Sequence, residues 1–285
     1  KVEIGAPPLN ATEEHVITGR GANDTKGLIA SMLVAAATKF SESQRNKIGF
    51  LFVVSEETTH QGMTAANDLG LKPDFMIVGE PTAGKMIRFQ KGIMKAKIIV
   101  EGTSAHSGYP HLGDSAISRL LKILHEVEHV EQWPKDDVIG ETHCNVGFIK
   151  GGQATNALAE YAETTLMFRV VTDPATTVMK QLQAIVDRLG EGKARIELIS
   201  MNSPVDLTHV EQFLSADKWD FGTACFNTDI PYFKYEGCKA FLYGHGDICN
   251  AHSPREYIGL EELRALPETY ARLVGDLLDG SQFGA

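Results

Sequence analysis

The chain has 285 residues, 43% apolar and 22% charged, with 27 Lys and Arg against 37 Asp and Glu, a net charge of −10. That composition excludes disorder, collagen and coiled coil, and the deficit of basic residues argues against a partner with a phosphate backbone, so no nucleic acid is expected. At about 150 residues per domain the length fits one large domain or two. The four cysteines, Cys144, Cys225, Cys238 and Cys249, form no Cys-x-x-Cys pair and no disulfide framework. No apolar run is long enough to span a membrane. Lys1 to Asn10 lack the apolar core of a signal peptide and read as a Pro-containing loop, which leaves the cytoplasm as the default location.

The first third alternates helix and strand. Leu28, Ile29, Met32, Leu33, Ala36 and Phe40 recur at three and four and predict an amphipathic helix. Ile48 to Val54 is a continuous apolar run, short enough for a strand buried on both faces. Gln61 to Leu69 reads as helix and Phe75 to Val78 as a second short strand. This order predicts an α/β fold with a mainly parallel sheet. The pattern changes near Gly92. Lys95 to Val100 alternates like a strand with one wet face. Helical periodicity follows from Ser115 to Val130, then strands at Asn145 to Lys150 and Tyr161 to Val170. A helix over Ala175 to Leu189 and a strand at Ile196 to Ile199 complete the ferredoxin-like order, strand–helix–strand–strand–helix–strand. Residues 93–203 are therefore expected to form an inserted domain, interrupting one made of 1–92 and 204–285. Ala240 to Tyr243 and Leu260 to Leu278 supply a last strand and helix.

The acidic residues at the ends of these elements carry the chemistry. Asp24 lies in Gly19-Arg20-Gly21-Ala22-Asn23-Asp24-Thr25-Lys26-Gly27, before the first helix. Neither a dinucleotide fingerprint nor a Walker loop fits, because Asp24 stands where a glycine is needed and Lys26 precedes Gly27. Alone, Asp24 reads as a helix cap. Glu56 and Glu57 follow the first apolar strand, and Glu80 follows the second, in Val78-Gly79-Glu80-Pro81-Thr82. The carboxyl ends of parallel strands are where α/β folds bind ligands. A single acid there is ordinary solvated loop, and a lone His252 in Ala251-His252-Ser253-Pro254 is ordinarily structural. Together, Asp24, Glu57, Glu80 and His252 suit a pair of zinc ions about 3.5–4 Å apart, with one bridging carboxylate and a further acid as proton acceptor.

These motifs, in this order and spacing, resemble the co-catalytic zinc hydrolases that include acetylornithine deacetylase, succinyl-diaminopimelate desuccinylase, aminoacylase and related carboxypeptidases. The resemblance runs over essentially the whole chain, with the acetylornithine-deacetylase-like and fungal carboxypeptidase-like branch nearest, on His106-Ser107-Gly108-Tyr109-Pro110-His111-Leu112-Gly113 and Asn227-Thr228-Asp229-Ile230-Pro231. It implies two Zn2+ ions, with Co2+ able to substitute. It makes Asp24 the bridging ligand, Glu56 the general base, Glu57 and His252 ligands of one ion and Glu80 a ligand of the other. It implies a zinc-binding α/β domain interrupted by a ferredoxin-like lid that forms a homodimer. In that lid, His106 matches the histidine that reaches the partner's site and helps hold the oxyanion. Asn156 matches the Asn of a Gly-Gly…Asn segment, and Arg169 the Arg that grips the substrate carboxylate. Asn156-Ala157-Leu158-Ala159 departs from the usual Asn-Val-Ile-Pro.

The activity implied is hydrolysis of an amide bond in an N-acyl amino acid or short peptide. The competing readings are a dipeptidase or carboxypeptidase, and a non-catalytic relative that acts as a binding module. The last gains weight from a ligand count. A catalytic zinc ordinarily takes three protein ligands, and the ion of Glu80 lacks one. The resemblance expects it from a His-x-Asp strand about thirty residues before the bridging Asp. Only 23 residues precede Asp24, and their one histidine, His15, has no Asp two places on. An earlier segment or a companion chain is expected to supply it, and without it a weak second zinc site and little activity are expected.

Overall fold

A computed structural model describes residues 3–5, 15–130 and 132–280. The chain divides into two compact units. One comprises residues 1–89, 206–224 and 228–285, the other residues 90–205 and 225–227.

The second unit is built on four antiparallel strands in the order Ala194–Asn202, Gly92–Glu101, Tyr161–Val170, His143–Gly151. Helices Ala116–Glu128 and Val178–Gly190 supply the crossovers, giving the ferredoxin-like arrangement. Alternation explains the sheet. Met94, Ala96, Ile98 and Val100 occupy every second position of one strand, and all are buried. Ala162, Thr164, Leu166, Phe168 and Val170 do the same on its neighbour. Leu120, Ile123, Leu124 and Val127 from one helix and Val178, Leu182, Ile185 and Val186 from the other close over them. Both helices carry these residues at three and four, the stripe that a one-sided sheet requires. Ser115 caps the first helix, its Oγ accepting from Ser118 N at 3.3 Å. The second helix begins at Val178, later than Ala175. Asp173 holds the intervening residues in a turn: its Oδ1 accepts from Ala175 N and its carbonyl from Thr177 Oγ1.

In the first unit, helix Lys26–Thr38 turns Leu28, Ser31 and Ala35 inward, and helix Leu260–Gly280 contributes Leu266, Tyr270 and Leu273. Strands Phe75–Val78 and Lys239–Leu242 pair in parallel, which puts Glu80 and Gly244 side by side just past their carboxyl ends. Glu3–Gly5, Val16–Thr18 and Tyr257–Gly259 form an antiparallel sheet in that order. Helix Gln61–Ala66 continues into a 3-10 turn at Asn67–Leu69.

The expected buried strand over Ile48 to Val54 is not formed. The segment enters no strand pairing, and Phe52 and Val54 are 61% and 72% exposed. A parallel strand has no hydrogen bonds of its own. It exists only through neighbours, and none of the described strands lies against this run.

Candidate metal centre

Three loops of the first unit converge. The first, Gly19 to Thr25, ends at the helix beginning with Lys26. Its amides are closed by Ala22 N donating to Gly19 O and Lys26 N to Gly21 O. Asn23 is fully buried, and its Nδ2 donates to Asp247 O at 2.8 Å. Gly246 is needed here: its φ is +84°, and a Cβ would lie 1.8 Å from Asn23 Oδ1. The second loop carries Glu56 and Glu57. It is wound on one carbonyl, Ser55 O, which accepts from the amides of Thr58, Thr59 and His60. His60 then pins it, with Nδ1 at 2.9 Å from Asp229 Oδ1 and its ring stacked on Tyr232. The third loop carries His252.

Asp24, Glu57 and His252 come together as expected. One ligand atom from each lies within 4.8 Å of the others. His252 Nε2 stands 2.8 Å from Glu57 Oε2 and 3.3 Å from Asp24 Oδ2. Asp24 lies at the floor of this cluster, while Glu57 and His252 form its open rim. Glu80 is buried and sits outside the triad of closest donors.

The electrostatics connect all four acids. Burial, with the nearby Glu57 carboxylate, raises Asp24 to about 6. Burial raises Glu56 to about 7, with His60 opposing the rise and Asp229 and Glu57 adding to it. Glu80 is pushed well above the ordinary range by burial and by the charges of Glu56, Asp24 and Glu57. These carboxylates are crowded beyond what the neighbouring histidines offset. A cation is the natural complement, and oxygen donors with one imidazole nitrogen suit a divalent ion such as zinc.

His106, Asn156 and Arg169 belong to the second unit. His106 Nδ1 accepts from Gly108 N at 3.0 Å, which leaves Nε2 to carry the proton of the neutral ring. Its loop is tied to that of Asn156 by Ser107 N donating to Asn156 O at 2.9 Å and Leu158 N to Ala105 O at 2.8 Å. These loops lie at the Tyr161 end of strand Tyr161–Val170, where Gly102 N reaches Glu160 O. Arg169, paired with Ile93 and His143, is at the other end. Eight residues at about 3.3 Å each separate them by ~26 Å. Within one copy of this unit, His106 and Asn156 are brought together and Arg169 is not.

Three contributors were not singled out from sequence. Asp229 was visible only as part of a run that resembles the family. His60 stands three places after the acid pair and Glu256 four after His252, spacings that signal nothing by themselves.

Residues 89–196 match the peptidase dimerisation domain of the M20 type. A protein of Trichophyton verrucosum named "Probable carboxypeptidase" is 33% identical over 92% of this chain and 63% of its own length. The chain thus spans under two thirds of that relative. Among solved structures, a tripeptidase of Staphylococcus aureus superposes with a TM-score of 0.72 at 18% identity, over 96% of this chain and 75% of that one. An M20 family metallo-carboxypeptidase from Sulfolobus solfataricus gives 0.64 at 17% identity, over 91% of this chain and 77% of that one. The chain belongs to the M20 family of peptidases and related hydrolases.

Proposed function

We propose that the protein is a metal-dependent hydrolase of a peptide or N-acyl amino acid amide bond. The observation that carries this reading is the convergence of Asp24, Glu57 and His252 on one small volume, with the half-buried Glu56 raised to about 7 and the buried Glu80 raised well above the ordinary carboxylate range. Glu57 and His252, with Asp24, would hold one Zn2+ or Co2+ ion, and Glu80, one ligand short of the usual three even with Asp24 shared, would hold a second more weakly. Such ions would supply Lewis acidity and a more acidic water.

Glu56 is the general base. It is not needed as a ligand, and a carboxylate raised to about 7 accepts a proton at neutral pH and releases it readily. It takes the proton of the attacking water and hands it to the departing amine. The loop wound on Ser55 O and held by His60 and Asp229 keeps Glu56 aimed while this happens. His106 donates its Nε2 proton to the oxyanion, a role supported by the Gly108 bond that fixes the tautomer. Arg169 holds the substrate carboxylate through its planar fork, and Asn156 lines the substrate loop. The ~26 Å between Arg169 and His106 within one unit supports a homodimer in which the two act on one substrate from different copies. Peptides are favoured over acetylated amino acids by the carboxypeptidase name of the relative.

The test is a panel of dipeptides and N-acetyl amino acids with added Zn2+ or Co2+. Glu56→Gln should keep the metal and lose at least about 10²-fold in turnover. Loss of metal together with activity would make Glu56 a ligand. Turnover by Glu56→Gln equal to that of the parent would remove it from the mechanism.

A further inference from the structure

Glu256 is 2% exposed, ends the loop that carries His252, and reaches the loop that carries Asp24. Its Oε1 accepts from the consecutive amides of Asn23 and Asp24, at 3.1 and 3.0 Å. Its Oε2 accepts from Arg20 Nη1 at 3.0 Å. Its own backbone carbonyl accepts from Gly19 N at 3.0 Å. One residue therefore fastens Gly19, Arg20, Asn23 and Asp24, and does so four places after His252. A buried carboxylate seldom spends both oxygens on a loop unless the loop's geometry matters, because desolvating it is costly without such partners.

We propose that Glu256 is a positioning residue. By holding the amide of Asp24 it sets where the Asp24 carboxylate stands relative to His252 and Glu57, and so sets metal affinity. Groups that orient a ligand from behind are worth about 10–100-fold in metal affinity. This role rests on the proposed metal centre and falls to a residue that holds no metal itself.

Glu256→Asp and Glu256→Gln separate geometry from charge. Aspartate keeps the charge but is one methylene too short to reach both amides and Arg20. Glutamine keeps the length, and its oxygen still accepts from both amides, while its NH2 gives up the bond from Arg20, whose exposed guanidinium turns to water. Zn2+ titration by calorimetry, with unfolding of the metal-free protein followed in parallel, reads the effect. The proposal expects Glu256→Asp to weaken Zn2+ binding about 10–100-fold and Glu256→Gln to stay within about threefold of the parent. A residue that only stabilises the fold would lower the unfolding temperature of Glu256→Asp and leave its Zn2+ affinity unchanged. That result, or an equal loss in both variants, overturns the proposal. Asp24→Asn is the control. If it binds Zn2+ as the parent does, the metal centre itself is misread. If it loses Zn2+ while Glu256→Asp does not, only the positioning role falls.

Discussion

In the unit built on Gln90–Val205, Phe168 is completely buried between sheet and helices, whereas in the other unit Phe52 stands 61% exposed on a run just as apolar. The antiparallel sheet finds its neighbours within about 110 residues of local order, and its two central strands, Gly92–Glu101 and Tyr161–Val170, are covered on their apolar face. The run Ile48 to Val54 has no such partner among the described residues, so its side chains do no core work there. An apolar sequence states what a segment can bury. Whether it does so depends on strands that come from elsewhere in the chain.

Deleting the same side chain at the two places exposes the difference most strongly. Phe168→Ala should cost about 3–5 kcal/mol in urea denaturation of the transition that includes the antiparallel sheet, through lost burial and the cavity left behind. A cost below about 1 kcal/mol would mean that this core is not closed.

The next effect belongs to catalysis. His106→Ala should reduce kcat by about 10²–10³ without changing bound metal, the usual loss for an oxyanion donor. On the proposal that His106 acts in the partner's site, mixed dimers of His106→Ala with Glu56→Gln should recover part of the activity. Mixed dimers that form and stay inactive would place His106 in the site of its own chain.

A smaller effect tests how the His106 loop is closed. Asp114 accepts from Arg119 Nη2 and Lys193 Nζ, each at 2.9 Å, and its backbone pairs with Thr103 across the loop. Arg119, then Lys193, holds its carboxyl below the ordinary Asp value of 3.8. A depressed carboxylate stabilises the fold above that value, and the gain is lost as the pH falls through the lower folded value. Asp114→Asn should therefore cost up to about 1 kcal/mol at pH 7, with the difference from the parent vanishing well below pH 3.8. A difference that persists in strong acid would assign the loss to packing.

Phe52→Ala should do least, under about 0.5 kcal/mol in the same denaturation, since the side chain is already mostly in water. A cost like that of Phe168→Ala would show that the run is covered in solution.

The same contrast explains what could be read in the residues. Alternation from Lys95 to Val100 and the helical stripes around it are local signals, and the sheet they imply is the sheet that forms. The helix at Val178 starts three residues late, because Asp173 turns the preceding residues by accepting from Ala175 N and Thr177 Oγ1, and three of the four strands run one to three residues past their expected ends. Asp24, Glu57 and His252 were legible only as a set, because acids and an imidazole at several loop positions, in that order and spacing, resemble a known family. Glu256, His60 and Asp229 were not, since they act on backbone amides or on one another, and such contacts leave no spacing in the sequence. The distance from Arg169 to His106 was implicit in strand length, but only the register ties their loops to opposite ends.

The central claim is that the carboxylates and imidazole of the first unit form a metal centre. Calorimetric titration of metal-free protein with Zn2+ at pH 7.0–7.5, a range that follows from Asp24 being raised to about 6, tests it most directly. The account predicts saturable binding that is lost or weakened at least about 10-fold in each of Asp24→Asn, Glu57→Gln and His252→Ala, and retained in Glu56→Gln. Binding that is absent in the parent, or unchanged in all three ligand variants, would contradict it.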